Sequence, residues 1–190
     1  GLPAFGLPSA TTSAPANPDD ALGAKLDKYI VNCVNIFSSR AVDARNRYLS
    51  WADAETGPTG EERNIFGVYT FPIEVSRCTG AITEAASMQP QQPQLEAAAN
   101  AYAQALTGLA PILVEADTYY SRRNYADDHM ARGRELHPRL MAAFEAFQQA
   151  NVAMRTIIDD TQDQLQTRLL ARIANDPAQR PWFLVLTSIR

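Results

Sequence analysis

The chain has 190 residues, 46% of them hydrophobic and 20% charged, with a formal net charge of -4 and a pI near 5.2. That fits one globular domain with a sizeable core, and leaves no broad attraction for a nucleic-acid backbone or an anionic lipid surface. No run of apolar residues approaches the roughly 20 that a spanning helix needs, so a soluble chain is expected, with any membrane link made by an anchor.

At the N-terminus, Gly1 in place of methionine fits a trimmed chain or a precursor that has lost a signal sequence. Residues 1–18, GLPAFGLPSATTSAPANP, are uncharged, rich in Pro, Ala, Ser and Thr, and without helical period, which predicts a flexible linker. It either spaces the domain of residues 19–190 from a membrane or is a plain terminus. Asn17, Pro18, Asp19 and Asp20 combine a capping side chain, a proline at the first helical position and acids in the first turn. Leu22, Leu26, Tyr29, Ile30, Cys33, Ile36, Phe37, Ala41, Ala44, Tyr48 and Trp51 then recur at threes and fours, predicting one long helix ending near Ala54. Gly57, Pro58 and Gly60 make ETGPTGEERN, residues 55–64, a loop.

The run IFGVYTF, residues 65–71, has no partner strand and is expected to lie extended over the bundle. A second helix starts at Pro72, buries Val75, Cys78, Ile82 and Ala85, and is stopped by Pro90 and Pro93. A third begins near Gln94, with Leu95, Ala98, Tyr102, Leu106, Leu109, Leu113, Ala116 and Tyr120 inward and a kink at Pro111. Residues 121–124 form a polar turn, with Asn124 as cap and Asp127 in capping-box position for a fourth helix that follows at once. That helix buries Leu136, Leu140, Phe144, Phe147, Met154, Ile157, Ile158, Leu165, Leu169 and Ile173, kinks at Pro138 and reaches about Ala174. The apolar PWFLVLTSIR, residues 181–190, stops abruptly, which predicts truncation within another helix. The expected fold class is all-α: an elongated antiparallel bundle of about four long helices, truncated at its C-terminus.

Cys33 and Cys78 both fall on apolar stripes, each about twenty residues from the centre of the first interhelical connection. They are candidates for one disulfide, whose loop closure would contribute about 4 kcal/mol. The alternative is two small buried hydrophobes.

Chemistry-bearing residues concentrate in TYYSRRNYADDHMARGRELH, residues 118–137. Asp127, Asp128, His129, Glu135 and His137 are potential ligands or acid-base groups. Helical geometry points Asp128 and His129 about 100° apart and sets His129 and His137 about 12 Å apart, so no metal site is expected. A structural role accounts for the same residues: Asp127 and Asp128 at a helix start, Asp128 paired with Arg132, and Glu135 with Arg139. Tyr119, Tyr120 and Tyr125 fit the edge of a core. Gly133, costly inside a helix by about 1 kcal/mol, implies a close helix crossing or a ligand approach. With Asp128 and His137, these residues are the candidate binding set. No GxSxG context, phosphate loop or dinucleotide fingerprint is present, and no cofactor is expected.

On KLDKYIVNCVN (25–35), RYLSW (47–51), GPTGEE (57–62), AYAQAL (101–106) and above all YYSRRNYADDHMARGRELH (119–137), the chain resembles the YiiG-like family. That is a bacterial domain of unknown function, DUF3829, found largely in envelope lipoproteins. The resemblance runs from about Ala21 to Ile189. It implies a helical domain, an envelope location on the periplasmic side and a lipid-anchored precursor, although no lipobox cysteine stands in this sequence. Members continue past the position of PWFLVLTSIR, which implies a fragment lacking its last helix or helices. The expected function is a non-enzymatic envelope protein whose bundle binds a protein or small-molecule partner. The alternatives are a metal-dependent or hydrolytic enzyme using Asp127, Asp128, His129 and His137, and an assembly subunit packing through its apolar C-terminus.

Overall fold

The computed structural model describes residues 17–176 and 178; the linker residues 1–16 and the segment 181–190 lie outside the described residues. The helices are α1 (Pro18–Tyr29), α2 (Ser39–Leu49), α3 (Ser76–Ala86), α4 (Pro93–Ser121) and α5 (Ala131–Asn175). A π-helical stretch, Ile30–Ser38, joins α1 to α2, and a single 3-10 turn, Asn124–Ala126, precedes α5. No strand occurs among the described residues, and the class is all-α.

The first helical run starts as its sequence requires, with Asn17 Oδ1 accepting the Asp19 N–H at 2.9 Å and Pro18 in the first turn. It ends at Leu49 rather than near Ala54. Just beyond, Asp53 Oδ1 accepts the N–H groups of Glu55 and Thr56, each at 2.9 Å, a local turn that competes with helix. Residues 65–71 lie extended over the bundle, fixed by Trp51 Nε1–H donating to the Gly67 carbonyl at 2.8 Å and by Phe71 edge-on to Phe37. The second helix is entered through a turn at Glu74 and Val75, so α3 begins at Ser76 and not at Pro72.

Cross-helix pairs give the directions. Cys33 bonds Cys78, Lys28 pairs with Glu84 and Lys25 reaches Met88, so α1 and α3 are antiparallel. Arg139 on Glu115 and Tyr102 against Phe147 make α4 and α5 antiparallel. Tyr48 on His137, Ser38 on Asn151 and Arg168 on Asp19 set the first run antiparallel to α5. Both predicted kinking prolines, Pro111 and Pro138, sit inside continuous helices.

The predicted stripes form the core, from Leu26, Tyr29 and Phe37 through Tyr102, Leu106, Leu109 and Leu113 to Leu140, Phe144 and Met154. Leu169 departs from expectation at 45% exposure. Antiparallel to α4, the 45-residue α5 outruns it, and near Leu169 it reaches the start of α1 through Arg168 on Asp19. By length and composition α4 is also able to cross a membrane, contrary to the expectation that no segment could. Its uncharged stretch, residues 97–114, is interrupted by Asn100, Gln104, Thr107 and Pro111 and so shows no unbroken apolar run. Ten of its residues, Leu95 to Tyr120, are buried positions of this bundle.

Two buried polar devices fix register. Lys25, fully buried, donates to the carbonyls of Met88 (3.0 Å) and Pro90 (3.2 Å) and to Glu96, tying α1 to the start of α4. Deeper, the Ser38 hydroxyl meets Tyr102 Oη at 3.0 Å and Asn151 Oδ1 at 2.7 Å, linking the π-helical stretch to α4 and α5.

Candidate functional site

The α4–α5 connection is a strained turn. Arg123 (φ 58°), His129 (φ 50°) and Met130 (φ 64°) all hold left-handed backbone, and they are the non-glycine residues with positive φ among the described residues. Such a conformation costs an L-residue on the order of 1 kcal/mol, so three within eight positions need surrounding structure to hold them. Asn124 is not the cap, because the 3-10 turn begins there, and Asp127 is not in a capping box. Asp128 serves instead: Oδ2 accepts the Arg132 backbone N–H at 2.9 Å and Oδ1 the Tyr119 hydroxyl at 2.8 Å. Burial works against the Asp128 carboxylate, but these donors hold its pKa below the ordinary value. Burial, then the bond to Asp128, pushes Tyr119 up to about 12.

Behind the turn lies an aromatic cluster. Tyr120 packs edge-on to Tyr119 and Trp51, both at 4.9 Å between centroids, while Tyr125 lies 6.3 Å from Tyr120 and 6.4 Å from Tyr119. Tyr48 joins it at 6.4 Å from Tyr120 and 5.7 Å from His137. Gly133 explains itself here: a Cβ would come within 2.4 Å of Met130 Sδ and 2.9 Å of Tyr120 Oη. The close approach that its sequence position implied is to these two side chains.

His137 is buried between helix and loop. Its Nε2 lies 3.0 Å from the Ala54 carbonyl, which can only accept, so Nε2 carries hydrogen and donates there, while Nδ1 bonds the Tyr48 hydroxyl 2.7 Å away. Tyr120 Oη, by contrast, is buried without a hydrogen-bond partner among the described residues. Tyr48→Phe is therefore expected to lower stability by about 1–3 kcal/mol, since Nδ1 is left unsatisfied, whereas Tyr120→Phe should be neutral or stabilising. Urea unfolding of the two variants separates them. Gly57 (φ 74°) closes over the ring, and a Cβ there would lie 2.7 Å from His137 Cγ. Gly57→Ala, strained in backbone and blocked by a ring, should cost about 2 kcal/mol or more in the same assay.

The structure brings Tyr119, Tyr120, Tyr125, Asp128, Gly133 and His137 together at one end of the bundle, but mainly as support. Asp127 and His129 are exposed, and His129 lies before α5 rather than two turns from His137 on one helix. Asp127, Asp128, His129 and His137 do not converge, and no group of three His, Cys, Asp or Glu side chains among the described residues could hold a metal ion. Two expected ion pairs are replaced. The Arg132 guanidinium bonds Glu115 and Glu135 (2.8 Å), not Asp128, and Arg139 reaches Glu115 at 3.2 Å, not Glu135.

In front of the cluster is an open cleft of about 700 Å³, between loop residues 59–66 and Arg123, Tyr125, Ala126 and His129 of the turn. The loop wall is held by Glu62, whose carboxylate accepts the Thr59 N–H, the Thr59 hydroxyl at 3.0 Å and the Gly60 N–H at 2.8 Å. Burial alone would raise the Glu62 pKa, but the backbone donors hold it below the ordinary value. Arg134 bridges the walls, donating to the carbonyls of Thr59 (3.3 Å) and His129 (3.1 Å). Arg63, Phe66 and Arg123 escaped the sequence reading. GPTGEE reads as a loop and RYLSW as the end of a helical stripe, with no functional role given to either, yet both pack against residues 119–137.

The family described as Protein of unknown function (DUF3829) matches residues 20–188. The Uncharacterized protein YiiG of Escherichia coli (strain K12) is 30% identical over 151 residues, 78% of this chain and 43% of that protein. The chain thus spans less than half the length of this relative. No solved structure matches the chain.

Proposed function

The chain belongs to the DUF3829 family, described as of unknown function, and we propose that it is a non-enzymatic binding module of the bacterial cell envelope, with the cleft between residues 59–66 and 123–129 as its receiving face. The observation that carries this reading is the turn. Strain held by a dedicated scaffold gathers at ligand clamps and active sites, and here all three left-handed residues stand at or behind one cleft. A hydrolytic or metal-dependent reading has less support, because Asp128 and His137 are engaged in structural bonds and the four candidate groups face different surroundings.

The envelope location is supported by the Cys33–Cys78 disulfide, a bond that persists in oxidising compartments, and by the resemblance to envelope lipoproteins with a lipid-anchored precursor. Thiol alkylation of fractionated cells should find the full-length protein oxidised in the periplasmic or membrane fraction; reduced protein in the cytoplasm contradicts this. For the cleft, a thermal-shift screen of small molecules and peptides should yield ligands that stabilise the wild type but not Ala126→Trp, whose ring fills the space. Ligands that stabilise both equally would remove the cleft from the account. Turnover abolished by Asp127→Asn or His129→Gln would favour the enzyme.

A further inference from the structure

The arginines around this end of the bundle divide into two groups. Arg47 donates to the Phe66 carbonyl at 3.1 Å and lies over the Phe66 and Tyr69 rings, Arg132 and Arg139 bind Glu115, and Arg134 binds two carbonyls. Arg63 and Arg123, which line the cleft from opposite walls, have no ion pair among the described residues. Of the acids there, Glu62 is turned into its own loop, which leaves Glu61, among the described residues lining the cleft, as the one uncommitted negative charge against two guanidinium groups.

Two rings complete the lining, each held from behind. Phe66, half exposed, carries the Arg47 guanidinium 4.9 Å from its centroid, and Tyr125 leans on Tyr119 and Tyr120. Guanidinium groups bind carboxylate and phosphate in a planar, bidentate fashion, and fixed rings accept a flat apolar body by stacking. Resting on the binding reading above, we propose that the cleft takes an anion carried on a flat apolar body, with Arg63 and Arg123 holding the carboxylate or phosphate and Phe66 and Tyr125 the ring.

Amide-resolved NMR titrations with phenyl phosphate, benzoate, inorganic phosphate and benzylamine test this. Phenyl phosphate or benzoate should shift the amides of residues 59–66 and 123–129 and bind at least tenfold more tightly than inorganic phosphate. Whichever of the two is stronger identifies the anion. Arg63→Gln, or Arg123→Asn, which tolerates left-handed backbone, should weaken binding tenfold or more while the remaining spectrum stays unchanged. Added salt should weaken it further. Benzylamine in the cleft with neither aromatic anion would overturn the anion class and leave the binding reading standing. No cleft shift with any probe would overturn this proposal, whereas the binding reading falls if Ala126→Trp discriminates no ligand. Shifts confined to other surfaces, or equal binding by both arginine variants and wild type, mean an adventitious additive only and overturn it.

Discussion

Replacing Cys33 and Cys78 together with alanine is expected to lower folding stability by about 4 kcal/mol, because the bridge closes a loop across a separation of 45 residues. For a domain of this size that corresponds to a fall in melting temperature of about 8–16 °C. The loss has a location. The disulfide staples the short α3 to the π-helical stretch, while α4 and α5 pack along each other without it. Hydrogen exchange should therefore accelerate first in α3 and in residues 53–75, with the α4–α5 hairpin last. A melting temperature unchanged within about 3 °C would show that the unfolded chain gains little freedom from the cut.

The second large effect is at Lys25. Its ammonium is fully buried on two carbonyls and Glu96, so Glu96→Ala leaves an uncompensated charge and should cost about 3–5 kcal/mol. Glu96 also accepts the Gln92 N–H at 3.2 Å, so α4 should fray at its start. Lys25→Met with Glu96→Gln removes both charges and should recover much of the loss, which a double-mutant cycle measures. Additive losses would mean that the two side chains act independently. The same pair predicts acid sensitivity. The Lys25 hydrogen bond holds the Glu96 carboxyl below its ordinary value, and its partners do the same for Glu115, where the Arg139 bond is the largest cause. Protons thus bind the unfolded chain more tightly; this stabilisation is complete above the usual carboxylate pKa of about 4.3 and is lost as pH falls through the lower folded values. Urea midpoints measured from pH 6 down to pH 3 should fall most steeply below about pH 4, and less so in Glu96→Gln.

The helices were legible because an apolar stripe at threes and fours persists wherever a helix has a partner; it misled at Leu169, where α5 runs beyond α4. Helix ends were less legible. Asp53 and Asp128 stop or start helices through side-chain bonds that also occur in the helix-friendly readings of the same letters. The turn at 123–130 was misread because left-handed backbone is usually announced by glycine, and Arg123, His129 and Met130 give no such sign. Gly133 did carry its message, since a mid-helix glycine implies close approach, and Met130 and Tyr120 make it. The candidate tyrosines, Asp128 and His137 proved to be neighbours, but the cleft they support draws its other wall from residues 59–66, more than fifty positions upstream. Spacing along one helix cannot reveal a partner loop at that distance.

The claim that the cleft is the working face is tested most directly by photo-crosslinking in living cells, using the full-length protein with benzoylphenylalanine in place of Ala126 or, as a control on the α5 surface, Gln148. A defined adduct from position 126, lost when Arg63→Gln and Arg123→Asn are added and absent from position 148, is the predicted result. Adducts of equal yield from both positions, or an adduct from 148 alone, would contradict it.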